Sequence, residues 1–228
     1  MNEIKCIDSK SAIDLTKKFV KDMLSGEGSG HDWWHIYRVW NTAKYIAKKE
    51  RGANIFTVEL AALLHDIADR KFNNGDVEKG TEKVRHYLLS INVDIKIVED
   101  VCEIVSTCSF ASSFLENGQR RVMKTLEGKI VQDADRLDAL GAIGIARTFA
   151  YGGHKGSEMY NPNVKPFLPT NKAQYTNGRS HSINHFYEKL LLLKDLMNTN
   201  TAKKLAEKRH KYMEEFLNQF YKEWAGSL

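Results

Sequence analysis

Apolar residues recur along this chain at helical spacing, and almost nowhere in the alternation expected of strands. Ile13, Phe19, Val20, Met23 and Leu24 form a first stripe, and the glycine-rich stretch Ser25–Gly30 that follows reads as a loop. The spacing predicts a second helix from about Asp32 to Lys49. Ile36, Val39, Trp40, Ala43, Ile46 and Ala47 form its inward face, Asp32 is its N-cap, and Gly52 lies just beyond its end. Further helices are expected over about Thr57–Ala68, Val77–Ser90 and Asp94–Thr107, and a polar loop over Ser109–Thr125. The pattern from Leu126 to Tyr151 reads as one long helix, apolar on nearly every side, and so suited to the centre of a bundle. All three prolines fall in the stretch 151–181, the one long irregular segment. Two helices close the pattern, about Ser182–Met197 and Thr201–Trp224. The fold class is all-α, a helical bundle, and no repeat or composition shift divides residues 1–228 into more than one domain.

Composition narrows the class of protein rather than its chemistry. The chain has 228 residues, 42% hydrophobic and 28% charged, the mix of an ordinary globular domain able to bury a sizeable core. Net charge is +5 with no concentrated Lys/Arg block, which suits anionic small molecules and disfavours nucleic acid as a partner. Cys6, Cys102 and Cys108 match no metal knuckle and no disulfide scaffold, so a reduced, cytoplasmic setting is expected. The N-terminal residues lack the apolar core of a signal peptide, and no apolar run is long enough to span a membrane.

Four polar side chains stand where the pattern asks for core. His35 sits in the aromatic run Trp33-Trp34-His35-Ile36-Tyr37-Arg38-Val39-Trp40. His65 and Asp66 end the apolar run Ala61-Ala62-Leu63-Leu64, and Asp135 lies in the most apolar helix. Burying one unpartnered carboxylate costs several kcal/mol, by roughly the measure of other polar transfers. Two imidazoles and two carboxylates buried together are explained if they share a cation. That donor set suits Mn²⁺, Mg²⁺, Co²⁺, Fe²⁺ or Zn²⁺. The alternative is that each His is a satisfied core residue and each Asp a cap or surface charge.

These residues resemble the HD-domain superfamily of metal-dependent phosphohydrolases, whose pattern is an early His, an adjacent His-Asp and a late Asp on separate helices. His35 with Ile36-Tyr37-Arg38-Val39, His65-Asp66 within Leu64–Asp69, and Asp135 within Gly128–Ala139 match those positions. The continuation Gly141–Arg147 resembles a bacterial subgroup of small stand-alone hydrolases. The resemblance implies one divalent metal per chain, with manganese favoured, held by His35, His65, Asp66 and Asp135. It also implies a nucleotide substrate, with triphosphate cleaved to monophosphate and pyrophosphate. Asp135 is preferred to Asp133 and Asp138 by its Asp-Arg-Leu context, and the other two are read as hydrogen-bonding groups.

Around that set, Asp69 is the candidate catalytic residue, to orient water or hold a ligand histidine. Arg38 and Lys71 are candidate phosphate-binding residues, and Arg147, His154, Lys155 and Arg179 are looser ones. Each also has a plain reading as a solvated or ion-paired charge. Trp34 is the aromatic considered for stacking on a base. Residues 151–181 form either a lid or a surface excursion. The rival functions are a nucleotide phosphomonoesterase, a cyclic-nucleotide phosphodiesterase, and a degenerate nucleotide-binding module. Cys108 stands where related sequences often carry a further His, which disfavours a two-metal phosphodiesterase. The assembly is left open, a homodimer included.

Overall fold

A computed structural model of the protein describes residues 6–25, 32–67, 76–108, 122–167 and 181–227. Among these the only regular elements are helices, as the periodicity predicts. They fall into two compact units, 1–134 and 135–228.

The first unit contains α1 (Ser9–Met23), α2 (Trp33–Lys49), α3 (Ile55–Leu64), α4 (Val77–Ser90), α5 (Ile95–Thr107) and most of α6 (Leu126–Asp138). Side-chain caps start five of them: Asp8, Asp32, Asn54, Asp76 and Asp94 each accept a hydrogen bond from a backbone N–H two or three residues on. The hub is α3, which packs against α1, α2 and α5. Thr57, Val58 and the whole run Leu60–Leu64 are buried, so α3 is enclosed on all sides toward its C-terminal end, while its first residue, Ile55, is exposed. The seam of α1, α2 and α3 is organised by Trp40. Its indole Nε1 donates to Glu59 (3.0 Å), and the Lys17 and Lys44 ammonium groups lie 4.4 and 4.2 Å from its ring. Glu127, in the first turn of α6, accepts a hydrogen bond from the Asn54 N–H (2.7 Å), fixing the turn that leads into α3.

The second unit contains the end of α6, then α7 (Gly141–His154), α8 (Ser182–Glu188), a 3₁₀ helix (Leu190–Leu196) and α9 (Asn200–Trp224). Phe149, Phe186, Phe216 and Phe220 form one ring cluster there, with Phe186 stacked on Phe216 and the other pairs tilted or edge to face.

The structure corrects four expectations. The long helix over Leu126–Tyr151 is two helices. Leu140 is extended (φ −116°, ψ 155°) and Gly141 takes φ +72°, which a residue with a Cβ rarely adopts. A Cβ on Gly144 would meet the Ala139 carbonyl oxygen at 2.2 Å, so this glycine lets α7 turn closely over the end of α6. The apolar pattern runs unbroken through the turn because both flanks carry buried residues, and only the glycines mark it. The all-round apolar character belongs to α3, since Ile143 on α7 is exposed. Ser182–Met197 is likewise not one helix but a short α-helix followed by a 3₁₀ turn, divided at Lys189 (φ −143°, ψ −58°). Of the irregular segment 151–181, residues 155–167 are described and irregular, and α7 reaches His154. Residues 168–180 lie outside the described residues.

Candidate metal centre

The enclosure of α3 carries its own C-terminus into the interior. The chain turns at Leu64, where the Ile67 N–H reaches the Leu64 carbonyl (3.0 Å), so His65 and Asp66 sit in a buried turn. His65 is the C-cap, and its Nδ1 donates to the Ala62 carbonyl (2.9 Å). That bond satisfies a carbonyl that has no partner within the helix. Because a carbonyl only accepts, the bond also requires the proton on Nδ1 and leaves Nε2 as the nitrogen that faces His35.

His35 enters from the first turn of α2, which packs on α3. The Asp32 carboxylate accepts from the His35 backbone N–H (2.9 Å), the N-cap read from the sequence. The cap sets where α2 begins, and so places the His35 side chain on the inward face beside Ile36 and Val39.

His35, His65 and Asp66 converge. The two Nε2 atoms are 3.3 Å apart. Asp66 Oδ2 is 3.4 Å from His35 Nε2, and Asp66 Oδ1 is 3.4 Å from His65 Nε2. His35 is 0% exposed, and His65 and Asp66 are each 5% exposed. A divalent ion with bonds of about 2.1 Å keeps tetrahedral neighbours about 3.4 Å apart and octahedral neighbours about 3.0 Å apart. The observed separations lie at the upper end of that range. Two imidazole nitrogens facing each other beside a carboxylate, away from water, form an arrangement that a cation stabilises. Two imidazoles and one carboxylate on a common face also leave coordination positions for water and substrate. The residues present therefore fit a divalent metal.

The other candidate residues are distributed as follows. Asp135 is half-buried on α6, in the second compact unit. Asp133 is fully buried on the same helix, in the first unit. Asp138 is buried and paired with Arg147 (Oδ2 to Nη1, 2.8 Å), which agrees with its reading as a hydrogen-bonding group and occupies one of the looser phosphate candidates. Arg38 is half-buried on α2, three residues beyond His35. His154 and Lys155 are exposed at the end of α7. Trp40 is core, while Trp34 and Tyr37 are exposed and meet edge to face (5.9 Å). Asp69, Lys71 and Arg179 lie outside the described residues.

Two structural groupings escape sequence reasoning. Glu59 anchors Trp40 and Lys44 from an otherwise apolar helix, and its only signal is being the one charge in Ile55–Leu64. Arg136 and Arg209 donate to the carbonyls of Leu196 and Leu137. Those contacts join positions 60 and 72 residues apart, and no local pattern reveals them.

Comparison with known proteins agrees with this geometry. The HD domain model matches residues 33–140, a span that holds all four proposed ligands. An HD-superfamily hydrolase from Bacillus thuringiensis is 47% identical, with TM-score 0.73, covering 96% of this chain and 99% of that one. A protein from Lactobacillus plantarum superposes with TM-score 0.82 at 38% identity, covering 97% of this chain and 100% of that one. The uncharacterized protein YpgQ of Bacillus subtilis is 39% identical over 92% of each chain. YpgQ has been crystallised in complex with ADP, and that structure superposes with TM-score 0.73 over 94% of this chain and 96% of that one, at 34% identity.

Proposed function

This chain belongs to the HD-domain family of metal-dependent hydrolases, and on that premise we propose that it hydrolyses nucleoside triphosphates to the monophosphate and pyrophosphate. The observation that carries the reading is the buried triangle of His35, His65 and Asp66, whose spacing and donor set suit a cation. The ADP complex of YpgQ supports a nucleotide as the ligand class.

In this reading His35, His65, Asp66 and Asp135 hold one divalent metal, with Mn²⁺ preferred to Mg²⁺, Co²⁺, Fe²⁺ or Zn²⁺. Such an ion, when bound, stabilises charge on phosphoryl oxygens and acidifies water. The chain's own residues do the rest. His65, held by its bond to Ala62, keeps its Nε2 turned toward His35 and Asp66. Arg38 pairs with the distal phosphates, holding them as the leaving pyrophosphate gathers charge, and Lys71 assists it. Asp69 orients the attacking water and accepts its proton on a carboxylate oxygen. Water attacks the phosphorus nearest the sugar, the bridging P–O bond breaks, and pyrophosphate leaves. No covalent intermediate is needed. Residues 1–228 act as a single domain in the cytoplasm, without nucleic acid or membrane partners. Among the described residues no helix is long and apolar enough to cross a membrane.

The test is to incubate the purified chain and Mn²⁺ with a panel of nucleotides and to separate free phosphate from pyrophosphate. Monophosphate and pyrophosphate should appear together from the triphosphate. Arg38→Ala should depress triphosphate turnover about 10- to 150-fold, the rate equivalent of one charge-assisted contact of roughly 1.5–3 kcal/mol. Diphosphate appearing first, or activity confined to monophosphates, would replace this reading with a phosphatase.

A further inference from the structure

The turn between α6 and α7 is held by more polar contacts than a helix ending requires. Arg209, from α9, donates through Nη1 to the Leu137 carbonyl. Its stem lies against Gly141, where an added Cβ would meet Cγ at 3.1 Å and Cβ at 3.2 Å. Arg147, from α7, donates through Nη1 to both Asp138 Oδ2 (2.8 Å) and the Asp138 carbonyl (3.4 Å). Arg136, from α6 itself, donates to the Leu196 carbonyl at the end of the 3₁₀ helix. Burial disfavours the protonated form of Arg209, and the nearby Asp138 carboxylate offsets part of that effect. Three guanidinium groups and one buried carboxylate thus fix the last turn of α6 against α7, the 3₁₀ helix and α9. Asp135 sits in that same turn, three residues before Asp138 and next to Arg136.

A helix end needs only its last carbonyls satisfied, and water or a glycine cap serves at the surface. Here the Leu137 carbonyl, already capped by the Leu140 N–H (3.1 Å), and the Asp138 carbonyl are also held by rigid planar donors from two other helices, around a glycine whose positive φ makes room for one of them. Such contacts fix the helix end in position and rotation as well as capping it. A metal ligand must be held to within about half an ångström of its working position. We propose that Arg147, Arg209 and Asp138 are positioning residues for Asp135, setting the orientation in which its carboxylate is offered to the metal. The inference rests on the reading of Asp135 as a ligand.

The test is Mn²⁺ binding by titration calorimetry on the full chain, with far-UV circular dichroism and melting temperature as controls. Asp135→Asn tests the ligand reading and should weaken Mn²⁺ binding. Arg147→Gln, Arg209→Gln and the isosteric Asp138→Asn test the positioning role. Each should weaken Mn²⁺ affinity roughly 10-fold, the low end for partners that orient metal ligands, with helix content at the wild-type level. Arg147→Lys should recover part of the loss by restoring a charged donor to Asp138. If Asp138 were itself the ligand, freeing it by Arg147→Gln would leave affinity unchanged or tighten it, which would overturn the proposal. If an arginine variant fails to fold, Asp138→Asn decides. Wild-type affinity in Asp138→Asn beside weakened binding in Asp135→Asn would reduce the cluster to a structural cap. Wild-type affinity in Asp135→Asn would remove the ligand reading itself.

Discussion

Asp66→Ala should uncouple the protein's thermal stability from divalent metal. Asp66 is 5% exposed and places one carboxylate oxygen 3.4 Å from each of two imidazole nitrogens. It supplies the only negative charge of the triangle. A ligand that binds only the folded state at 100 times its dissociation constant stabilises that state by about 2.7 kcal/mol. For a chain of 228 residues, each kcal/mol moves the melting temperature by about 2–4 °C, so saturating Mn²⁺ should raise it by roughly 5–10 °C. Losing a partner that merely orients a metal ligand weakens metal binding by up to about 100-fold, and losing the charged ligand should weaken it at least that much. At the same Mn²⁺ concentration the increment then falls to about 0.4 kcal/mol, or roughly 1 °C. The assay is a thermal melt with and without Mn²⁺ on wild type, Asp66→Ala and Asp66→Asn. The quantity compared is the metal-induced increment within each protein, so any change in metal-free stability cancels. Equal increments in all three proteins would show that the triangle does not hold the metal, whatever the enzyme's activity.

Two further outcomes follow from features away from the triangle. His185, on α8, is driven by burial, helped by Lys189, to a pKa of about 3. The unfolded chain takes up a proton near pH 6.5 that the folded chain refuses, so stability should fall as pH drops from 6.5 towards 3. That loss is on the order of 1 kcal/mol between pH 7.5 and 5.5. Urea melts at the two pH values should show a loss larger in wild type than in His185→Gln by that amount. Gly144→Ala should cost at least about 1–3 kcal/mol, the usual range for overpacking, because the new Cβ would meet the Ala139 carbonyl oxygen at 2.2 Å. A melt within 0.5 kcal/mol of wild type, roughly the scatter of an innocuous surface change, would mean that α7 can move away from α6 freely.

Much of this architecture is legible in the sequence because its signals are local. Asp32 caps α2 three residues before His35 reaches inward, and Val77–Ser90 is bounded as the periodicity predicts. His65 and Asp66 stand out because nothing but burial follows from Leu60–Leu64, and a polar pair at the end of such a run needs a partner. The end of α6 was not legible. Leu137, Leu140, Ile143 and Ile145 continue an apolar period across a turn, because Leu137, Leu140 and Ile145 are buried on either side of it. Only Gly141 and Gly144 marked the turn, and in an apolar helix single glycines are tolerated. The contacts of Arg209 and Arg136 were invisible for a different reason. They satisfy backbone carbonyls far along the chain, and a carbonyl has no letter in the sequence.

The border between the two compact units falls between Ala134 and Asp135, within the continuous helix α6. This bears on how the protein can be cut, fused or recombined. A helix severed there would leave its last four carbonyls, those of Val131, Gln132, Asp133 and Ala134, without intrahelical partners, in residues that are all buried. The second fragment would begin with Asp135 and Arg136, on a helix too short to stand alone. Gene fragments divided at the border should therefore yield two insoluble products, whereas an insertion at the exposed turn around Gly156 leaves every helix whole. Independent shuffling of the halves is closed to this chain, because one helix supplies the final turns of the first and the opening residues of the second.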